Sequence, residues 1–127
     1  MAEEALRTVA WRLIGLTRSE PGVLELKSQH LTFETDEQQY FRTPLSEVRD
    51  VRFPWYYFGG GVKFRVGEAK YRLSFVRPNN AEDLSLRLLS RTAVGGAAAA
   101  ATVVIKARDI KEGRQLGRRW RAVFESR

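Results

Sequence analysis

Two alternating segments around residue 67 constrain the fold more than any other part of the chain. Val62, Phe64 and Val66 alternate with Lys63 and Arg65; after Gly67-Glu68-Ala69, Tyr71, Leu73 and Phe75 alternate with Lys70, Arg72 and Ser74. Side chains on a strand point to opposite faces with period two. The stretch therefore predicts a β-hairpin with one apolar, buried face and one basic face made of Lys63, Arg65, Lys70 and Arg72. Immediately before it stand five closely spaced aromatics, Phe53, Trp55, Tyr56, Tyr57 and Phe58, and then Gly59-Gly60-Gly61. Together these predict a strand end, an aromatic loop and a glycine turn leading into the hairpin.

Upstream, the pattern predicts more short strands. A short helical start passes into a strand from about Val9 to Leu16. Arg18-Ser19-Glu20-Pro21-Gly22 is read as a turn, because Pro and Gly supply the required backbone angles. Strands follow at Val23–Lys27, Leu31–Thr35, Tyr40–Leu45 and Val48–Phe53, with Pro44 marking an edge or bend. Residues 9–76 thus carry the strands. After Asn79 and Asn80, either of which can cap a helix, Leu84, Leu88 and Leu89 predict a helix from Ala81. A Gly/Ala-rich interruption at 93–105 stays open between helix and strand. From Asp109, a plausible N-cap, Ile110, Gly113, Leu116, Gly117, Trp120, Val123 and Phe124 mark the apolar face of an amphipathic helix. Residues 80–126 are therefore read as the helical C-terminal part of one domain. The expected class is mainly β (α+β), with about seven antiparallel strands and a C-terminal helix.

Composition narrows the function. A chain of 127 residues suits one domain with a real core. It has no cysteine, which excludes disulfides, thiolate metal sites and a cysteine nucleophile, and fits a cytoplasmic setting. Its start resembles no signal peptide. Its longest weakly polar run, residues 93–105, is shorter than the ~20 residues a membrane span needs. The net charge is +7. Residues 106–127 hold eight Lys/Arg against three acids, 8 − 3 = +5, which attracts nucleic acid, anionic lipid or an acidic protein. The lone His30 has no neighbour to form a nucleophile–base pair, and no spacing of acids suggests a metal site. The glycines at 59–61 precede a strand, whereas a phosphate-binding loop precedes a helix. No catalytic residue, metal or cofactor is expected.

The runs Pro21–Phe33, Thr43–Val48 and Gly59–Phe75 resemble a GRAM domain of the pleckstrin-homology-like superfold. The likeness rests on Gly22, Leu31 and Phe33, Pro44-Leu45-Ser46-Glu47-Val48, Gly59-Gly60-Gly61, Tyr71 and Phe75, and covers about residues 9–92. The Trp120 helix is similar to the C-terminal helix of the wider superfold, while residues 95–105 depart from the pattern as an insertion. The resemblance implies a partly closed barrel and a binding module without catalysis. Its lipid-binding members use a basic cluster between the first strands, and neither Arg18-Ser19-Glu20 nor Lys27-Ser28-Gln29-His30 is strongly basic here.

The candidate binding residues are Lys63, Arg65, Lys70 and Arg72 on the hairpin and Arg118 and Arg121 on the helix. Trp55, Tyr56, Tyr57 and Phe58 form a candidate interface loop, since exposed aromatics mark contact surfaces. The expected partner is a protein or an anionic phospholipid at a membrane periphery, with a homodimer as one form. The alternative is nucleic acid held by the basic hairpin and helix.

Overall fold

Seven antiparallel strands form one sheet in the computed structural model, which describes residues 5–79, 81–85, 88 and 104–127; the side chain of Tyr56 is outside that description. The strands are β1 (Leu6–Ile14), β2 (Arg18–Lys27), β3 (His30–Thr35), β4 (Gln39–Pro44), β5 (Arg49–Arg52), β6 (Gly61–Val66) and β7 (Ala69–Ser74). Their order is β4-β3-β2-β1-β7-β6-β5. The sheet rolls until its ends face each other: Phe41 of β4 lies 5.7 Å from Phe64 of β6 and 4.9 Å from Tyr71 of β7, ring centre to ring centre. The two end strands, β4 and β5, stay unpaired with each other. A helix, α1 (Ile110–Glu125), packs on the rolled sheet. This is the mainly β, barrel-like α+β fold of about seven antiparallel strands with a C-terminal helix that the strand pattern predicts.

The β6–β7 hairpin forms as expected. Phe64 pairs with Tyr71 and Val62 with Leu73 on the inner face, and Lys63 pairs with Arg72 and Arg65 with Lys70 on the outer. Gly67 opens its two-residue turn at φ +59°. The β2–β3 hairpin turns on Ser28 (φ 53°) and Gln29 (φ 62°), a two-residue turn with both central residues left-handed, whose twist matches that of the flanking strands.

Four expectations need correction. The first strand starts at Leu6, so residues 6–8 are extended rather than helical, and the strand ends at Ile14, leaving Leu16 in the turn. The cause is burial on both faces: Leu6 and Ala10 belong to the barrel core, while Val9 and Trp11 pack outward against Ala81, Leu84 and Val104. Second, residues 18–22 are strand, not turn. Pro21 pairs with Trp11 and lies beyond the last β2–β3 pair, and Gly22 is required because a Cβ there would sit 2.7 Å from the Phe33 ring. Third, β4 stops at Pro44, Leu45–Glu47 is a single 3₁₀ turn, and β5 is only Arg49–Arg52.

Fourth, Ala81–Ser85 are not helical, whereas Leu88, which the same expectation covers, is. They run as a strap across the outer face of β1, where the Trp11 indole N–H donates to Glu82 O at 2.8 Å. Most of 86–103, including Leu89, lies outside the described residues. On its return the chain adds Ile105 beside β1 as a parallel bridge: Val9 N–H donates to Ile105 O (2.8 Å) and Ile105 N–H to Arg7 O (2.9 Å). Beside this bridge Arg7 is buried to 6% exposure, and Glu25, its cross-strand partner, supplies the countercharge at 2.8 Å. A buried cation needs such a partner, because an unpaired charge in the interior costs several kcal/mol. No helix among the described residues is long and apolar enough to cross a membrane.

Candidate functional site

The helix α1 is set by its start. The Asp109 side chain accepts from Glu112 N at 2.9 Å, and the Glu112 carboxylate accepts from Arg108 N at 2.8 Å and from its guanidinium. Two backbone donors at the helix end are thereby satisfied reciprocally. The Arg108 contacts hold the Glu112 carboxyl down to about 2 from an ordinary value near 4.5. Asp83 is also held low, first by its hydrogen bond to Lys106, with Leu84 N and Arg77 adding to the effect. Lys106 and Asp83 join the two arms of the strap.

Both depressed groups contribute stability that is present above their unfolded pKa values and lost as pH falls through the folded ones. Stability should therefore be flat at neutral pH and fall between about pH 4.5 and pH 2. Urea titrations across that window should show a shallower acid decline for Glu112→Gln than for the native chain. An unchanged slope would remove Glu112 from the account.

From that start, α1 lays Gly113, Leu116, Gly117, Trp120 and Phe124 on the core. Trp120 is fully buried, stacks on Phe75 (6.5 Å, 7° between planes) and donates its indole N–H to Thr8 Oγ1 at 3.0 Å. Ile110, expected on the buried face, is 57% exposed beside Phe58 and Val76, because the first turn of α1 overhangs the sheet.

Two glycines of α1 bring it against the glycine loop. A Cβ on Gly117 would lie 1.8 Å from Gly59 O, and one on Gly113 would lie 2.2 Å from Val76 Cγ2. On the loop side, a Cβ on Gly61 would meet the Tyr57 ring at 2.4 Å. The glycines at 59–61 thus form a close-packing seat for the helix.

That seat shapes the aromatic loop. Pro54 enters a single 3₁₀ turn, Trp55–Tyr57, and Phe58 leaves it in the left-handed region (φ 51°, ψ 33°), with its N–H bonded to Trp55 O at 2.9 Å. A non-glycine residue there is strained, and such strain persists where the surroundings impose it. Here Arg114 Nε donates to Phe58 O at 2.8 Å and fixes the bend. The result splits the aromatics. Phe53 packs inward on Phe124 (6.2 Å), with Arg121 over its other side at 5.0 Å. Tyr57 is half-buried under the loop. Trp55 and Phe58 project outward, 82% and 61% exposed.

Trp55 and Phe58 form one wall of a groove of about 390 Å³, whose other wall is Arg114, Arg118 and Arg121 from successive turns of α1. The expected residues Trp55, Phe58, Arg118 and Arg121 are brought together here. Arg114, at the spacing i, i+4, i+7 with the other two, belongs with them and was not singled out in the sequence. Arg114 and Arg121 brace the loop, while Arg118 between them is exposed. The hairpin residues Lys63, Arg65, Lys70 and Arg72 lie apart from this groove, on the outer face of β6–β7.

No family model matches the chain, and searches of curated proteins and of solved structures return no match. Fold and groove together define a small barrel-like α+β protein with an aromatic and cationic surface site.

Proposed function

We propose that this chain is a non-catalytic, GRAM-like module that docks peripherally on an anionic membrane surface through the Trp55–Phe58 turn and the arginine face of α1. The observation that carries the reading is the pairing of two projecting aromatics with three arginines along one groove. Trp and Phe gain from burial at a bilayer interface, and arginines beside them meet the anionic headgroups. Each arginine near such a surface contributes about 1 kcal/mol. Three give about 3 kcal/mol, which alone is weaker than millimolar binding. Burial of the two aromatics, worth about 1.5–3 kcal/mol each when complete, brings the total towards the micromolar range. Neither part suffices alone, so the reading requires both.

Co-sedimentation with vesicles tests it. Native protein should pellet with vesicles containing anionic lipid, not with neutral ones, and should be released by high salt. Trp55→Ala/Phe58→Ala and Arg118→Glu should each weaken binding about ten-fold or more. Retention on neutral vesicles, or failure of all vesicles to bind, would contradict the proposal. In the latter case a concentration-dependent dimer would point to a second copy of the chain as the partner of the loop.

A further inference from the structure

The outer face of β5–β6–β7 is a second cationic surface, distinct from the groove between the aromatic loop and α1. The pairing register sets its cations in two rows across the strands. Arg52 stands opposite Lys63, and Lys63 opposite Arg72; Arg49 stands opposite Arg65, and Arg65 opposite Lys70. Neighbouring strands lie about 4.8 Å apart, and on β6 and β7 the two rows, two residues apart, lie roughly 6.8 Å apart; on β5 a register shift sets Arg49 and Arg52 three residues apart. The face is hollowed into a trough of about 470 Å³, and Asp50, 3.3 Å from Arg65, is the one acid among the residues that line it. Arg72 donates to Gly15 O at 2.9 Å, which holds the β1–β2 turn at the trough's end.

Like charges directly opposite on paired strands destabilise a sheet. An anion laid along the trough would add countercharge to that of Asp50, which already faces Arg65. The occupant is narrowed by what the face lacks. Protein interfaces are anchored by buried aromatic or apolar side chains and are poor in lysine; here Leu13 is the one aliphatic side chain in the lining, and the rings of Phe64 and Tyr71 turn to the core. A bilayer is flat and would bridge a trough rather than fill it. A chain with one charge per unit fits both the hollow and the two-row spacing.

We infer that this trough binds the phosphate backbone of a nucleic-acid strand, without reading its bases. Base readout would need exposed stacking rings, whereas this lining presents five cations beside Asp50 and Leu13, with the rings of Phe64 and Tyr71 turned to the core. The inference does not rest on the membrane reading, because it uses no residue of the aromatic groove.

The test is fluorescence anisotropy with a labelled 20-nucleotide single strand of mixed sequence, and a second of different sequence, from 50 to 300 mM salt. Binding should fall with salt with a log–log slope of about −2 to −3.5, for three to five phosphates at about 0.7 each. The two sequences should bind within about two-fold of each other. Lys63→Glu/Lys70→Glu should lose about ten-fold or more in affinity for the strand while still pelleting with anionic vesicles, and Trp55→Ala should bind the strand as the native chain does. The Tm of Lys63→Glu/Lys70→Glu should stay within about 5 °C of the native value. That would show that lost binding is not lost folding. No binding at 50 mM salt, a flat salt dependence, or an equal loss on Arg118→Glu would each overturn the inference. So would a Lys63→Glu/Lys70→Glu variant that loses the vesicles and keeps the strand.

Discussion

Gly117→Ala is expected to destabilise the protein by about 3 kcal/mol or more, although the same change in an exposed helix stabilises by about 1 kcal/mol. The opposite sign is the diagnostic. The new Cβ would lie 1.8 Å from Gly59 O, a backbone atom of a loop held by Gly60 N–H to Tyr57 O and Phe75 N–H to Gly60 O. No side chain can swing aside, so the helix must lift, and Leu116, Trp120 and Phe124 lift with it. Gly113→Ala is the graded control. Its Cβ would strike Val76 Cγ2, the end of a side chain, so its cost should be smaller and should be relieved in Gly113→Ala/Val76→Ala. Urea unfolding of the three variants measures this. A Gly117→Ala protein as stable as the native one would mean that helix and glycine loop are not in contact.

Trp120→Ala should cost about 3–5 kcal/mol, the usual range for a buried tryptophan. It empties the space beneath Phe75 and Phe124 and leaves the Thr8 hydroxyl without its donor in a fully buried site. The hydrogen bond can be separated from the packing. Thr8→Val leaves the indole N–H unsatisfied, and Trp120→Phe leaves the hydroxyl so; each adds about 1–3 kcal/mol of orphaned polar group. Removing both at once orphans neither, so Thr8→Val/Trp120→Phe should cost less than the sum of the two single changes. Additive costs in thermal unfolding would mean that the two groups do not meet.

The sequence was most legible where one face of an element is buried and the other wet. The β6–β7 hairpin and α1 both have that character, and their period, turn and cap were readable from residues 62–75 and 109–124. The start of β1 was not, because its inner face carries Leu6 and Ala10 and its outer face Val9 and Trp11. A strand buried twice loses its alternation, and Leu6, Val9 and Leu13 then mimic helical spacing. The first half of β2, residues 18–22, was hidden for a different reason: Pro21 and Gly22 spell a turn locally, yet Gly22 packs against the Phe33 ring across the sheet. The strap at Ala81–Ser85 was overruled by its indole-bound path over β1.

Of the site, the aromatic loop and the basic helix were each visible as separate stretches. Their meeting was not, because it depends on Gly113 and Gly117 fitting a loop more than fifty residues earlier. Glycine inside a helix signals either weakness or close approach, and the partner that decides between them lies outside any local window.

The most direct test of the proposed membrane docking is the fluorescence of Trp55. Trp11 and Trp120 are fully buried and Trp55 is 82% exposed, so the red-shifted part of the emission belongs to Trp55. Titration with anionic vesicles carrying a quencher at a shallow position on the acyl chains should shift that component to the blue and quench it. Neutral vesicles, high salt and Trp55→Phe should each abolish both changes. An emission that stays red-shifted and unquenched at lipid concentrations where the protein pellets would place the bilayer against some other face, and would contradict the account.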